Sequence, residues 1–412
     1  MTLRVLLLTQ WFEPEPTFKG LSFAKELIKQ GLQVEVVTGF PNYPIGKLYP
    51  GFKIKPIQRE LIDGVKITRV ALYPSHDNSA IRRILNYASF AFSSLLYCLF
   101  YVRNVDVIYA YHPPLTIGVT ASLLRIIRRI PVVYDIQDLW PDTLRTTGML
   151  NNERALSIVG MVCNQVYKQV DQIVVLSPGF KNLLIERGVP ERKIEVIYNW
   201  ADEERLKVAA NKPPIGFPCS DEFRLLFAGN MGMPQALGAV LEAARLLKVK
   251  GVLAKLIFVG TGLEVEDLKI KAFALELSNV MFFPPVSMSE IGAYLSNSDA
   301  LLVHLKSDKL FEITIPSKTQ AYMSIGKPIL MAVEGNAAEL INNAACGVLA
   351  KSENPKDIAQ AVESLVRMSH HERREMGLRG FNFYHQNLSL QAGSEKFKKL
   401  FEDVVHKSQA HN

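Results

Sequence analysis

Short runs of apolar residues alternate with segments of helical periodicity along most of the chain. Runs such as Arg4–Thr9 and Phe223–Ala228 are apolar at nearly every position, which is typical of parallel strands whose two faces are covered by helices. The pattern predicts an α/β protein with doubly wound sheets. The predicted strands span residues 4–9, 34–38, 67–71, 105–109, 132–135, 172–176, 223–228, 254–259, 280–282, 300–303 and 329–331.

The alternation breaks once, between Asn199 and Asp221. Residues 209–220 are rich in proline and glycine, as linkers are. We therefore predict an N-terminal Rossmann-like domain over residues 1–200, a C-terminal one over 201–388, and a final helix over 389–412. Ligands of doubly wound sheets bind at the carboxyl ends of the strands. We expect the two domains to face each other across a cleft that holds the ligands.

Composition narrows the class of protein. The 412 residues are 48% hydrophobic and 21% charged, which excludes disorder, collagen and coiled coil. The net charge of +7 favours an anionic partner, but the basic residues are scattered, so we expect no nucleic acid. The first residues indicate a strand and no signal peptide, and the four cysteines lack metal-site spacing. These features predict a cytoplasmic protein.

One segment, residues 84–102, carries no charge over 19 positions. That length approaches the ~20 residues of a membrane span, but a polar stripe argues against lipid on every side. A span would also separate strand 105–109 from strand 67–71, beside which we expect it to lie. Three alternatives remain: a helix in the membrane interface, which we prefer, a buried helix, and a true span. The polar stripe is Asn86, Ser89 and Ser93, and the flanking or neighbouring arginines are Arg82, Arg83, Arg103, Arg125, Arg128 and Arg129.

Two glycine turns follow successive predicted strands of the C-terminal domain. Gly229 and Asn230 open the first turn, which ends near Gln235, and the second turn is Gly260-Thr261-Gly262. Such turns let backbone N–H groups approach an anion at a helix N-terminus, although glycine is also used for geometry alone. Two turns in one domain favour a site for the phosphates of a nucleotide.

A lysine begins the helix that follows Pro316. Lys318 lies in its first turn, where a cation is disfavoured unless it faces an anion. Taken alone it would be a solvated lysine, but beside two glycine turns we predict a diphosphate contact. Glu312, just before this helix, is either a partner of sugar hydroxyls or a carboxylate that offsets the helix dipole.

Four motifs carry a resemblance to glycosyltransferase family 4, which has the GT-B fold of two Rossmann-like domains. The resemblance covers nearly the whole chain and is nearest to the O-antigen and capsule branch that includes L-fucosamine (N-acetyl-L-fucosamine, FucNAc) transferases. The motifs are Thr38-Gly39-Phe40-Pro41-Asn42-Tyr43-Pro44, Gln137-Asp138-Leu139-Trp140-Pro141-Asp142, Ile315-Pro316-Ser317-Lys318 and Gly326-Lys327-Pro328.

The resemblance implies a UDP-sugar donor in the C-terminal domain. Where the family has an arginine and a lysine on the diphosphate, this chain has Asn230 and Gln235. The family's second glutamate falls at Ala321, so Gln320 or Glu339 is expected to contact the ribose instead. Glu312 takes the place of the first glutamate, displaced by one residue.

In the N-terminal domain the resemblance implies contacts with both substrates. Gly20 is what remains of a glycine-rich loop that approaches the donor phosphate or the acceptor. His112 matches a histidine that contacts the donor sugar, although a lone histidine is more often structural. Asp138 or Asp142 is a candidate base for an acceptor hydroxyl, and Asp142 would serve equally as a helix N-cap. The acceptor contacts are expected at Asn42, Tyr43 and Asp142.

These observations lead to one leading prediction. The protein is expected to transfer a sugar, an N-acetylated amino sugar such as N-acetyl-L-fucosamine, from a UDP-sugar to a polyprenyl-diphosphate-linked saccharide at the inner membrane surface, in O-antigen, capsule or exopolysaccharide biosynthesis. The chain has no Asp-x-Asp motif, so we expect no metal and no cofactor. A UDP-sugar epimerase of the same fold and a catalytically inactive, membrane-associated paralogue are the alternatives.

Overall fold

The computed structural model describes residues 2–75, 80–146, 148–206, 213–218 and 222–410. The chain forms two compact units. The first comprises Met1–Tyr198 with Gly393–Asn412, and the second Asn199–Ala392. Each unit is built around one sheet with helices on both faces, so the structure contains the two Rossmann-like folds that the alternation predicts. Of the predicted linker, only 213–218 belongs to the described residues.

The first unit alternates strands and helices from its first residues. The apolar strands are buried along their whole length, as in β1, where all but the first residue are buried. The elements are β1 (Arg4–Thr9), α1 (Leu21–Lys29), β2 (Gln33–Gly39), β3 (Ile57–Ile62), β4 (Val65–Val70), α2 (Ala80–Phe100), β5 (Val107–Tyr111), α3 (Leu115–Arg128), β6 (Val132–Ile136), α4 (Asp142–Thr146), α5 (Glu153–Gln169), β7 (Gln172–Val175), α6 (Pro178–Glu186) and β8 (Ile194–Val196).

The strand order of this sheet is β3-β4-β2-β1-β5-β6-β7-β8. The strands β2, β4 and β3 lie on one side of β1. The next strand, β5, pairs with the other side of β1, with Val5 opposite Val107. Our expectation that the strand after the apolar helix lies beside residues 67–71 is therefore wrong. The reason is the switch point of a doubly wound sheet, where the strand order reverses at the first strand.

The edge of the same sheet carries a strand that the apolar pattern missed. β3 and β4 form an antiparallel hairpin in an otherwise parallel sheet. Its two-residue turn is Asp63-Gly64, and both residues have positive φ, at 48° and 84°. Asp-Gly between alternating segments is a strong hairpin signal because such a turn needs positive φ at both positions. The sequence thus contained the information for this strand.

The C-terminal helix α15 (Leu390–Ala410) completes the core of the first unit. Phe397 and Phe401 pack edge-on against Tyr109 of β5, with ring centroids 5.2 and 5.7 Å away. Phe397 also contacts Phe23 of α1 at 5.1 Å. These rings are fully buried, so the chain's last helix is an integral part of the first unit.

The second unit has a six-stranded parallel sheet in the order β11-β10-β9-β12-β13-β14. Its core lies between the sheet and the helices α7 and α13 and includes Leu225, Phe258 and Val362. The elements are β9 (Phe223–Ala228), α7 (Gly238–Val249), β10 (Ala254–Val259), α8 (Val265–Ala274), β11 (Val280–Phe283), α9 (Met288–Ser296), β12 (Ala300–His304), α10 (Lys309–Glu312), α11 (Ser317–Ile325), β13 (Ile329–Ala332), α12 (Asn336–Asn343), β14 (Gly347–Leu349), α13 (Pro355–Arg367) and α14 (His370–Asn387).

Neither disulfides nor membrane spans are found in the described ranges. Cys98, Cys163 and Cys346 are buried free thiols, while Cys219 lies outside the described residues. Over the same ranges, each helix is too short or too polar to cross a bilayer. The apolar segment forms α2, which begins four residues earlier than predicted and ends at Phe100.

Candidate functional site

The two glycine turns of the second unit lie against each other at the carboxyl ends of β9 and β10. The N–H of Gly229 donates to Val259 O at 2.9 Å, and the N–H of Met231 donates to Thr261 O at 2.8 Å. A Cβ on Gly260 would overlap the carbonyl oxygen of Gly229, and one on Gly262 would overlap that of Met231. Both glycines also have positive φ. Gly260 and Gly262 are therefore required for the contact between the turns.

The first turn keeps its shape mainly through backbone and amide groups. The side-chain oxygen of Gln235 accepts the N–H of Gly232 at 3.0 Å. Asn230 is exposed, as is Thr261. In the described part of the chain the backbone N–H of Asn230 makes no hydrogen bond. The turn thus presents an unused amide donor beside the end of β9.

Lys318 reaches the same place from α11. Its ammonium group lies 3.7 Å from the centroid of the Phe227 ring in β9 and would be 3.3 Å from a Cβ on Gly229. Burial lowers the pKa of Lys318 to about 7. Among the described residues no carboxylate lies within ion-pair distance of it. A half-buried cation therefore faces the first glycine turn without an anionic partner, and a bound anion would restore its charge.

Tyr322 attaches α11 to this edge of the sheet. Its hydroxyl accepts the N–H of Ala228 at 2.9 Å and lies 3.4 Å from the carbonyl oxygen of the same residue. The side chain is buried. This contact holds Lys318, one helical turn earlier, at the end of β9. Sequence reasoning missed Tyr322, because a tyrosine four residues after a lysine has no distinctive pattern.

The three candidates for sugar contacts lie in different surroundings. Glu312 is exposed at the end of α10, and its backbone packs against Gly335, which begins α12 with a φ of 73°. Glu339 is exposed in the first turn of α12 and accepts a hydrogen bond from Asn336 at 2.9 Å. Gln320 is buried, and the carbonyls of Pro316 and Ser317 on one side of its amide assign the nitrogen to that side, where it can donate to both. The exposed carboxylates are thus accessible, whereas the Gln320 nitrogen is already bound.

In the first unit, His112 follows β5 and is almost completely buried. Its ring lies edge-on to Trp140, with centroids 5.4 Å apart, and to Tyr134 at 5.9 Å. Burial lowers the pKa of His112 to about 3, so the ring is neutral at physiological pH. Within the described residues its Nδ1 atom has no hydrogen-bond partner. A neutral imidazole can hydrogen-bond a ligand but cannot serve as a cationic acid.

The two aspartates after β6 differ in their partners. Burial raises the pKa of Asp138 to about 6, which is close to the value that suits a general base at neutral pH. Asp142 instead begins α4 and forms an ion pair with Arg187 at 2.5 Å. Of the two candidate bases, Asp138 is the one that has no opposing cation within the described ranges.

The predicted acceptor residues Asn42 and Tyr43 are held by a buried carboxylate. Glu15 accepts the backbone N–H groups of both residues at 2.7 Å and that of Phe12 at 3.1 Å. Desolvation nevertheless raises the pKa of Glu15 to about 7. Tyr43 stacks on Trp11 with centroids 4.3 Å apart. Glu15 was not a candidate from the sequence, since an isolated glutamate between prolines gives no signal.

The N-terminus of α1 is occupied by a side chain of the protein itself. Glu13 Oε1 accepts the N–H of Leu21 at 2.7 Å, and a Cβ on Gly20 would overlap this carboxylate. Gly20 thus makes room for Glu13. Next to it, Lys19 is fully buried with its ammonium 3.9 Å from the Asp135 carboxylate. The predicted phosphate approach at Gly20 therefore meets an internal carboxylate.

The structure brings the predicted residues together in two groups. The first group lies at the carboxyl ends of β9 and β10 in the second unit and contains three glycines, Thr261 and Lys318. The second group follows the strands of the first unit and contains His112, Asp138, Asn42 and Tyr43. In the described ranges no three histidine, cysteine or acidic side chains cluster as metal ligands would. Metal-independent chemistry stays a prediction. The three glycines of the first group are Gly229, Gly260 and Gly262.

The polar stripe of α2 faces the protein and the opposite side is apolar. Asn86 bonds to Gln10 at 2.5 Å and to Tyr73 O at 2.7 Å, and Ser93 donates to Ala71 O at 2.5 Å. The outer side carries apolar residues three or four positions apart, and Phe92 there is 66% exposed. This arrangement is the reverse of an ordinary surface helix. The outer apolar residues are Ile81, Leu85, Ala88, Phe92, Leu96 and Phe100.

Comparison with known proteins assigns a family to each half of the chain. Residues 21–200 match the family described as "Glycosyl transferase 4-like domain". Residues 212–382 match "Glycosyl transferases group 1". A relative in Escherichia coli (strain K12), provisionally named colanic acid biosynthesis glycosyl transferase WcaI, is 26% identical over 340 residues, which are 78% of this chain and 81% of the relative.

Solved structures of the same fold cover almost the entire chain. Anabaena Alr3699/HepE in complex with UDP-glucose superposes with a TM-score of 0.68 at 15% identity, over 97% of this chain and 100% of the other. WaaG, a glycosyltransferase involved in lipopolysaccharide biosynthesis, gives a TM-score of 0.63 at 14% identity over 96% and 99%. Both units thus have the fold of glycosyltransferases and each matches a glycosyltransferase domain family, so the protein is a glycosyltransferase of the GT-B fold class.

Proposed function

We propose that the protein transfers a sugar from a UDP-sugar to a polyprenyl-diphosphate-linked saccharide during biosynthesis of a cell-surface polysaccharide. The observation that carries the donor class is Lys318, a half-buried cation that faces the Gly229 turn without an anionic partner among the described residues. A diphosphate supplies the missing negative charge. The Anabaena structure of the same fold is a complex with UDP-glucose, which supports UDP as the nucleotide.

The second unit is proposed to stabilise the leaving diphosphate. Charge accumulates on this group as the sugar bond breaks, and donors fixed in advance lower the barrier most. Lys318 offers an ammonium group and Asn230 a free backbone N–H. Glu312 and Glu339 are accessible for sugar hydroxyls, on the donor sugar and the ribose respectively, and Gln320 retains only its amide oxygen for the ribose. No metal or other cofactor is invoked in this proposal.

The first unit is proposed to supply the base and a neutral hydrogen-bonding group. Asp138, with a pKa of about 6, is ionised at neutral pH and can accept the proton of an acceptor hydroxyl. His112 is neutral because its pKa is about 3, so its proposed role is to hydrogen-bond a sugar hydroxyl. Asn42 and Tyr43, fixed by Glu15, are proposed acceptor contacts. Asp142 is engaged by Arg187 and would contact the acceptor only from within that ion pair.

The identity of the sugar and the pathway are proposed from the family resemblance and the named relatives. An N-acetylated amino sugar such as N-acetyl-L-fucosamine is the proposed donor group. The E. coli relative is named for colanic acid biosynthesis, and WaaG acts in lipopolysaccharide biosynthesis. O-antigen, capsule or exopolysaccharide is therefore the proposed product class.

The outer face of α2 is proposed to lie on the cytoplasmic surface of the inner membrane. Its exposed stripe is apolar from Ile81 to Phe100, and interfacial helices bury such a face among lipid headgroups. Arg103 and Arg129 are exposed nearby and would attract anionic lipids. Arg125 is paired with Asp171, and Arg128 donates to the carbonyls of Cys98 and Val102. These two arginines therefore contribute less to lipid binding than the sequence led us to expect.

The test is incubation with a panel of UDP-sugars and polyprenyl-diphosphate-GlcNAc, with products read by mass spectrometry and by NMR, which distinguishes epimers of equal mass. We expect a glycosylated lipid with at least one N-acetylated amino-sugar donor. Conversion of the UDP-sugar without acceptor would indicate the epimerase, and UDP binding without any conversion would indicate the inactive paralogue. Either result overturns the proposed transfer.

Membrane contact has its own test. The Phe92→Ser variant is expected to bind less to vesicles of anionic phospholipid than the wild type, because it removes an apolar group from the outer face of α2. Phe381→Ser, at an exposed phenylalanine of the second unit, is the matched control. Equal vesicle binding by wild type and Phe92→Ser would contradict the interfacial placement.

A further inference from the structure

The turn after β9 must bind its ligand largely through its backbone. Asn230 and Gln235 replace the two cations that the family resemblance implies there, and the Gln235 oxygen is already bound to Gly232. A side chain can adjust its rotamer to a ligand, whereas a backbone amide points where the loop points. The accuracy of binding therefore depends on what fixes the loop.

The end of the neighbouring strand β12 fixes this turn from the side. β12 pairs directly with β9, with Leu301 opposite Leu226. Beyond the strand, the N–H of Lys306 donates to Pro234 O at 2.9 Å. The last residue of the strand, His304, contributes a side chain to the same attachment. Two groups of one strand end thus hold the far side of the Gly229–Gln235 turn.

His304 is completely buried and bonded at both ring nitrogens. Nδ1 lies 2.6 Å from the carbonyl oxygen of Gln235. Nε2 accepts the backbone N–H of Glu353 at 3.1 Å. Because the Glu353 N–H can only donate, Nε2 must be the unprotonated nitrogen and Nδ1 must carry the hydrogen. The surroundings therefore select a single neutral tautomer.

Burial also keeps the ring in this neutral form. Desolvation lowers the pKa of His304 below its ordinary value. A protonated ring would place an N–H against the Glu353 N–H and lose that bond. The neutral ring joins the turn to the segment that precedes α13, which a carboxylate or an ammonium group at this position could not do.

We propose that His304 is a positioning residue for the donor: by holding the Gln235 carbonyl it fixes the Gly229–Gln235 turn so that the unused backbone N–H of Asn230 points at the diphosphate. This inference rests on the proposed function, since it assumes that the turn binds a nucleotide diphosphate. It adds a residue that touches no substrate and that the sequence did not single out. Its effect should fall on donor binding and not on acceptor binding.

The test compares two polar replacements that each keep one of the two bonds. The amide nitrogen of His304→Asn occupies the position of Nδ1 and can still donate to Gln235, whereas the longer His304→Gln places its amide oxygen near the Glu353 N–H. We expect His304→Asn to bind UDP within about threefold of the wild type. His304→Gln should weaken UDP binding about tenfold, the size expected for an unsatisfied buried acceptor.

The measurement is the Kd for UDP by calorimetry, with KM for donor and acceptor where turnover is seen. We expect the donor KM to rise in His304→Gln while the acceptor KM stays unchanged. His385→Gln, at an exposed histidine of α14, is the matched control. If His304 were purely structural, both His304 variants would lose the same UDP affinity, in proportion to the decrease in their melting temperatures.

The outcomes separate this inference from the function on which it rests. Wild-type protein that binds no UDP contradicts the proposed function. Wild-type binding, together with equal affinities in His304→Asn and His304→Gln or with the reverse order, overturns the role of His304 alone.

Discussion

Buried charged groups near the carboxyl ends of the two sheets differ in whether they have partners inside the protein. In the first unit, the buried charged groups other than Asp138 meet internal partners: Lys19 lies 3.9 Å from Asp135, and Arg69 lies 2.6 Å from Glu60. Glu15 is surrounded by three backbone N–H donors. In the second unit, burial lowers the pKa of Lys318, and among the described residues no carboxylate lies opposite its ammonium group.

This difference distinguishes charges that stabilise the fold from a charge that is available to bind a ligand. A buried pair that satisfies itself contributes to structure and gives no reason to expect an anion. A half-buried ammonium without a partner costs free energy until an anion arrives. The comparison predicts that mutations of the internally paired charges in the first unit affect stability, whereas mutation of Lys318 affects binding.

The largest expected effect comes from breaking the pair in the first unit. Asp135→Asn leaves Lys19 buried without its counter-charge, and it weakens the Tyr109 hydrogen bond of 2.5 Å. Loss of one partner of a buried pair costs about 3–5 kcal/mol. Chemical denaturation should show this loss of unfolding free energy. A change below about 1 kcal/mol would mean that the pair is not structural.

Lys318→Met should give the opposite result. Donor turnover should fall by about 10²–10³-fold, the loss typical of one fixed group that stabilises developing negative charge. Stability should stay equal or rise, because the variant removes a desolvated cation. Steady-state kinetics and thermal denaturation of the same preparation provide both readings. Normal turnover, or a clear loss of stability, would break the comparison.

His112→Ala should lower turnover about 10²-fold, a typical contribution of one positioned group, while the protein stays folded. Since the pKa of His112 is about 3, the pH dependence of the wild type between pH 5 and 9 should owe nothing to this ring. The pH–rate profile of His112→Asn checks this point. A limb of the wild-type profile that disappears in His112→Asn would show that the ring titrates during turnover.

The smallest expected effect concerns Glu15 and the pH dependence of the unfolding free energy. Its pKa in the folded protein, about 7, exceeds the ordinary 4.5, so its contribution to stability is complete below pH 4.5 and is lost as pH rises through 7. From pH 5.5 to 7.5 this group alone lowers the unfolding free energy by at most about 2 kcal/mol. Denaturation at both pH values should show a smaller difference for Glu15→Gln, whereas Glu402→Gln, at an exposed residue of α15, should match the wild type.

Regular features of the fold could be predicted from the sequence. The predicted bounds of β9 and β10 agree with the observed ones, because a nearly continuous apolar run followed by glycine has one simple interpretation. The position of β5 was not predicted, because strand order depends on packing between distant segments. The hairpin of β3 and β4 was missed although Asp63-Gly64 marks its turn.

Site residues could be predicted where a residue type at a given position has few possible roles. Lys318 stood out because a cation in a first helical turn needs an anion. The sequence could not identify Glu15, His304 or Tyr322 as site residues, because their roles depend on backbone groups that folding brings near them. The role of Gly20 likewise depends on Glu13, which only the folded loop places beside it.

The most direct test of the central claim is the proton balance of UDP binding. With a pKa of about 7, Lys318 is mostly neutral at pH 8 and must gain a proton when a diphosphate binds. Calorimetry at pH 8 in buffers of different ionisation enthalpy should therefore show uptake of close to one proton by the wild type and none by Lys318→Arg, whose guanidinium is always charged. Binding of UDP by the wild type without proton uptake, or with the same uptake in Lys318→Arg, would contradict the assignment of Lys318 as the cation that awaits the donor diphosphate.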